Sequence, residues 1–468
     1  MRSRIVFGPY TPDHAAHMTD GLVTCEGVYP IANGYAPVMG FTDIADALAG
    51  RFRGGAAFVA SDGTARLIAG DGTDLYSIVS GVWTSVSGSH TVNGRWAFTQ
   101  FGDDIICVNG SAPVNYDLTT NTAAGLTGSP PTADLCCTVR DFVILGRANG
   151  NNQLIANCGQ GDATNWATNG AGEIPLYTGG KLMGLVGGEY GLLIQRFSVK
   201  RMSYTGDNDS PWQVDEISTN YGCKAEGSIA TAGRLTFYYS DRGFVLCDGN
   251  DVKPIGAEKV DRTFAARYAD SDLDNMWSAI DPVRTLVIWA MPNALWLYNW
   301  TLDRWSTASV PVSAIFNSFS EAVSIDDLDA LYGDLDSIPY SLDDPRFAGG
   351  SPRLTIVHFD GRFGVLGGDN IAATLATSFI EPADNMVARV SFVRPVTDAT
   401  DGLTLTVDSR QRLGDAASSE SFSYLHGSGD MPVRVAARSM KMTLTVAEGT
   451  SWSYAQELQL EFATGGRR

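Results

Sequence analysis

Short apolar runs broken by polar turns recur along the chain from about residue 50 to 375. The stretch "GGAAFVASDGTARLIAGDGTDLYSIVSGVWTSVSG" holds three of them, at Ala56–Ala60, Ala65–Ala69 and Asp74–Val79, parted by Asp62-Gly63 and Asp71-Gly72. Asp-Gly between two apolar runs is a strong hairpin signal, because glycine accepts the positive φ that tight hairpin turns require. "WAFTQFGDDIICVNG" and "FVILGRANGNNQLIANCGQGDATNW" repeat the idea, and "TLVIWAMPNALWLYNWTLDRWSTAS" shows it most clearly. The unit length of roughly 45–50 residues is close to that of a propeller blade. Two units end alike, "LYSIVSGVWTSV" and "LYNWTLDRWSTA". Large aromatics in an outer strand would fill the wedge that widens between blades, so Trp83, Trp166 and Trp305 are expected to be mostly buried.

The pattern changes after residue 375. "MVARVSFVRPV", "LTLTVDSRQRL", "MPVRVAARSMKMTLTVAEGT" and "AQELQLEF" are longer and alternate strictly, as in half-buried antiparallel strands. Helical spacing is scarce. "TDIADALAG" (Thr42–Gly50) reads as a two-turn helix behind a Thr cap, and "AEKVDRTFAARYADSDLDN" as a second short helix with Val260, Phe264 and Tyr268 on one face. The pattern therefore predicts an all-β fold. Residues 1–49 form an N-terminal arm and short helix, 50–375 a β-propeller of six or seven blades, and 376–468 a sandwich-like antiparallel β-module.

Composition agrees. The 468 residues include 51 glycines, with 44% hydrophobic and only 18% charged residues, which suits many short strands around a real core. The longest apolar runs are far short of a membrane span. The N-terminus lacks the apolar stretch of a secretory leader, so assembly in a cytoplasm is expected. Seven cysteines without paired metal spacing, several at strand positions, are expected to be buried and reduced.

Charge changes the functional picture more. Asp and Glu number 52 against 33 Lys and Arg, for a net charge of −19. Stable wrapping of duplex DNA calls for the opposite sign. An acidic wall past which DNA slides remains open, beside plain solubility. The most acidic stretch, "SIDDLDALYGDLDSIPYSLDDPRF" (Ser324–Phe347), interrupts the blades and lacks the spacing of a calcium loop. The basic residues Arg389, Arg394, Arg410, Arg412, Arg434 and Arg438 gather in the C-terminal module, which marks it as a candidate contact surface.

Catalytic signatures are missing. The chain has five histidines, of which His14 and His17 are too few for a metal site. No nucleophile elbow, Walker loop or zincin motif occurs. The reading is a non-enzyme without cofactor or metal.

The order of units carries a resemblance. "FVILG…ATNW", "GLLIQRFSVKRMSYTG", "GFVLCDGNDVKPIGAEKVDRTF" and an Arg-rich β-module at the end resemble the tail nozzle or tail-hub proteins of short-tailed bacteriophages, also called packaged-DNA stabilisation or head-completion proteins. The resemblance covers nearly the whole chain and rests on order, length and loose motifs. It implies a virion tail protein that forms a homohexameric ring below the portal and adaptor ring. Such a ring holds tail fibres, spikes or a needle, retains packaged double-stranded DNA and forms the channel for its ejection. Asp326, Asp327, Asp329 and Asp334 are then candidates to line that channel. The alternative is a receptor- or glycan-binding propeller of a phage adhesin, with or without glycan cleavage.

Overall fold

The computed structural model describes residues 1–15, 19–79, 81–88, 90, 94–207, 209–319, 352–383, 386–412, 414–425 and 427–465. Among them, seven antiparallel four-stranded units follow one another in sequence. Their first strands are Gly54–Val59, Ala97–Phe101, Leu135–Val139, Leu182–Val186, Ala230–Ala232, Trp277–Asp281 and Ala314–Phe319. We number these blades 1 to 7. Most first strands pack against the next in turn, and that of blade 7 returns to pack on that of blade 1. Between blades 4 and 5 the approach is made by Ile229, whose Cδ1 lies 2.3 Å from where Gly184 would carry a Cβ. A side chain at Gly184 would push the end of Ile229 aside. The result is a closed seven-bladed propeller.

The hairpin signals are accurate in blade 1, where Gly54–Val59, Ala65–Gly70 and Leu75–Val79 are strands. The hairpin of blade 5 pairs Gly243–Cys247 with Val252–Pro254. Asp248 makes its turn, since one carboxylate oxygen accepts from the N–H groups of Asn250 (3.0 Å) and Asp251 (2.9 Å). The second expected helix is present as Asp261–Arg267, followed by a 3₁₀ segment, Asp270–Asn275.

The first expected helix is not. Thr42–Ala45 belongs to the strand Met39–Ala45, which pairs antiparallel with Phe363–Asn370 and supplies the fourth strand of blade 7. Without it that blade would keep a bare edge of backbone donors and acceptors, and pairing outweighs the weak helical propensity. Ala45 and Leu48, which gave the helical spacing, bury instead between blades 7 and 1.

The aromatic pattern is also uneven. Trp305 is fully buried, but Trp83 and Trp166 are only half-buried. In blade 6, Tyr298 stands directly opposite Trp305, whereas in blade 1 Trp83 faces Ile78 and Tyr76 faces Ser85. The same words in sequence therefore occupy different registers.

The C-terminal strands form a two-layer sandwich, but not alone. One layer runs Val28–Ile31, Gly34–Pro37, Ala455–Thr464, Ala388–Thr397, Met431–Ala437, with Arg2–Val6 also on Ala455–Thr464. The other runs Leu22–Glu26, Ala373–Thr377, Ser439–Val446, Leu403–Arg410, Ser418–Phe422. Alternate residues face inward, such as Met431, Val433 and Val435 against Leu403, Leu405 and Val407. Residues 1–49 are thus no separate arm. The strands among their described residues are divided between the sandwich and blade 7.

Candidate functional site

Two places combine elements that are distant in sequence. The first is the junction of sandwich and propeller. The outer strand of blade 6, Arg304–Ala308, is not an edge. Glu26 bridges to Thr307 in parallel register, so blade 6 and one sandwich layer form a single nine-stranded sheet. The Gly27 N–H donates to the Thr307 carbonyl at 2.8 Å. The hydroxyls of Thr307 and Ser309 donate to the two carboxylate oxygens of Glu26, the latter at 2.6 Å.

Beneath this seam lies one continuous apolar core. It joins Phe237 and Phe244 of blade 5, Trp289, Trp296 and Trp305 of blade 6, and the inner faces of both sandwich layers. Phe244 sits at its centre, with ring centroids 4.5 Å from Trp289, 5.0 Å from Trp305 and 4.9 Å from Phe264. Trp289 and Trp305 stack at 5.5 Å, and their indole N–H groups donate to Ser228 and Ile255 carbonyls. The helix Asp261–Arg267 is pinned to the N-terminal segment by Asp13, which accepts from the N–H groups of Arg262 and Thr263, both at 2.8 Å.

The second place is the mouth of the propeller where the first strands of the blades begin. There Arg147 of blade 3, buried and in a left-handed backbone conformation (φ 57°), meets Asp134 at 3.2 Å and Glu226 at 2.9 Å. Lys181 reaches the same Glu226 at 2.6 Å. Burial alone would raise the Glu226 carboxyl, but the Arg147 and Lys181 charges hold it below the usual range. The network ties blades 3, 4 and 5 together across the mouth. Nothing in the local sequence foretells it, because the topology alone brings residues 147 and 226 together.

The other predicted residues fall as follows. Asp326, Asp327, Asp329 and Asp334 lie outside the described residues, in the connection between Ala314–Phe319 and Pro352–Val357 of blade 7. His14 is described and His17 is not; no group of three or more potential metal ligands occurs among the described residues. All seven cysteines are buried and free. Burial pushes the thiols of Cys137 and Cys223 up to about 12, far from the thiolate form that reacts. In the Arg-rich module, Arg394 pairs with Asp430 at 2.9 Å and Arg410 lies 3.7 Å over the Phe379 ring.

No protein-family model matches the chain, and no curated protein matches it in sequence. Among solved structures it is similar to the extracellular domain of a one-component system from B. thetaiotaomicron (10% identity, 78% of this chain and 45% of that one, TM-score 0.44). It is also similar to BamB from Moraxella catarrhalis (12%, 72% and 95%, TM-score 0.37) and to BBS1N in complex with ARL6DN (11%, 70% and 98%, TM-score 0.40). The chain spans less than half the length of the first of these. The architecture described here rests on the strand pairing of this chain itself.

Proposed function

We propose that the chain is the ring-forming subunit of a tail nozzle or hub in a short-tailed bacteriophage, a structural part without catalysis. Copies would close as a homohexamer below the portal and adaptor ring, retain packaged DNA, guide its exit and carry fibres, spikes or a needle. The order of sequence units supports this reading. The structural observation that carries it is the seam at Glu26 and Thr307, where propeller and sandwich share one sheet and one core. A closed ring needs a fixed angle between the two different surfaces that each subunit offers its neighbours. Two domains on a flexible linker would leave that angle free and favour mixed or open assemblies. A shared sheet with a fully buried Trp pair beneath it would hold that angle fixed.

Light scattering on the purified chain, alone and mixed with portal–adaptor complexes, tests the proposal, together with a particle reconstruction that locates it. Six copies in a ring under the adaptor are expected. A monomer that never joins the particle, or one found only at fibre tips, would overturn it.

A further inference from the structure

Beside the ion network, the propeller mouth opens into a cleft of about 600 Å³ between blades 6, 7, 1 and 2. Three arginines line it, and the same two segments hold them. Arg51 donates to the Asn275 side-chain carbonyl at 3.2 Å, and Arg53 points at the Gly94 carbonyl at 3.4 Å. Arg95, the next residue, donates to the carbonyls of Met276 (3.0 Å) and Asp274. The Arg95 guanidinium lies over Trp277, 4.0 Å from the ring centroid. Among the described residues none of the three forms an ion pair.

The carboxylates nearby are spent or peripheral. Glu226 is held by Arg147 and Lys181, and Asp360 by Arg362 (2.8 Å) and His358 (2.7 Å). Asp274 is exposed at the rim. In a protein of net charge −19, three cations thus converge on one cleft with no paired carboxylate among the described residues, and only Glu226 and Asp274 act on Arg95 from a distance. Burial pulls the Arg95 guanidinium down to about 10; the charges of Glu226 and Asp274 oppose this only in part, and the neighbouring Arg51 charge adds to it. An anion entering the cleft would relieve both effects. The rest of the lining is mixed: Asn275, Ser313 and His358 are polar, while Leu48, Phe52 and Trp277 give it an apolar wall, and Phe359 stands 59% exposed at its edge.

We propose that this cleft binds a peptide segment that presents a single carboxylate beside an apolar side chain. The carboxylate would sit among Arg51, Arg53 and Arg95, and the apolar group on Phe52 and Phe359. One negative charge suits the site better than the two of a phosphate, because Asp274 stands at the rim and would repel the second. The proposal goes beyond the ring reading and is independent of it, since binding is measured on the isolated chain.

Isothermal calorimetry on the full chain compares acetyl-Leu-Phe-Asp-amide with acetyl-Leu-Phe-Asn-amide, and then repeats the first titration in inorganic phosphate. Charge-assisted hydrogen bonds should favour the Asp peptide about tenfold. Arg51→Met with Arg53→Met changes two partly exposed side chains and leaves Arg95 on its ring, so the fold is retained, as circular dichroism will verify. That double variant should bind both peptides equally. Equal affinity for the two peptides on the parent, no binding of either, a preference that survives in the double variant, or displacement of the Asp peptide by equimolar phosphate would each overturn the proposal.

Discussion

Asp261 shows how much one residue can carry at the seam between blade 5 and the N-terminal segment. One of its carboxylate oxygens accepts from the Phe244 N–H at 3.0 Å, while the other is buried with no hydrogen-bond partner among the described residues. Gly243 and Gly256 close over it so tightly that a Cβ on either would lie 2.0 Å from a carboxylate oxygen. Burial raises the group to about 6; the Phe244 N–H opposes this and the Asp13 charge adds to it. An unfolded Asp titrates near ~3.9, so between these values the folded state binds the extra proton. Stability therefore falls as pH rises from about 4 through 6, and the cost persists above that. Asp261→Asn keeps the acceptor without the charge. Its melting temperature should exceed the parent's at pH 7.5 and match it near pH 4. A constant difference at all pH values would refute this account. Trp305 makes a second case at the same scale. Its ring is fully buried on Trp289, and Trp305→Ala should cost roughly 3–5 kcal/mol in urea unfolding. Trp83→Ala and Trp166→Ala, at half-buried sites, should cost clearly less.

Elements were legible where their partners are near in sequence. Asp62-Gly63, Asp71-Gly72 and Asp248-Gly249 mark hairpins because the turn itself fixes the pairing. The strict alternation after residue 375 likewise foretold strands with one inward face. The strand Met39–Ala45 was not legible, since its partner Phe363–Asn370 lies more than 300 residues away and the short segment also fits a helical spacing. The sharing of both sandwich layers with residues 2–37 was hidden for the same reason, and so were the Arg147 network and the arginine cleft. Thr42→Pro tests the closing strand. Proline removes a backbone donor opposite Val365 and cannot sit in a paired strand at this position. Hydrogen exchange should speed up at 363–366 and 54–59, while Leu182–Val186 in blade 4 stays protected. Unchanged exchange in blade 7 would mean that the strand adds little to closure.

At the scale of the whole molecule the charge of −19 is the dominant fact, and in the proposed ring it would bear on DNA passage. Duplex DNA carries one negative charge per ~1.7 Å of axis, so a basic lumen would hold it through released counterions, most strongly at low salt. An acidic lumen repels it over a Debye length, ~8 Å at physiological ionic strength and ~30 Å at 0.01 M, and so keeps it centred and free to slide. In the proposed ring, retention before infection would then come from a constriction or a plug supplied by another protein, not from affinity. The insert in blade 7 concentrates carboxylates at Asp326, Asp327, Asp329 and Asp334, and we propose that it faces the lumen. Replacing these four with Asn removes charge without changing size. Rings and particles should assemble as before. Genome ejection in vitro should slow, and the slowing should be greater at low salt, where the lost repulsion reached furthest. If ejection keeps its rate and its salt dependence in particles carrying the fourfold variant, the insert does not line the channel, and the centring charge must be sought elsewhere on the ring.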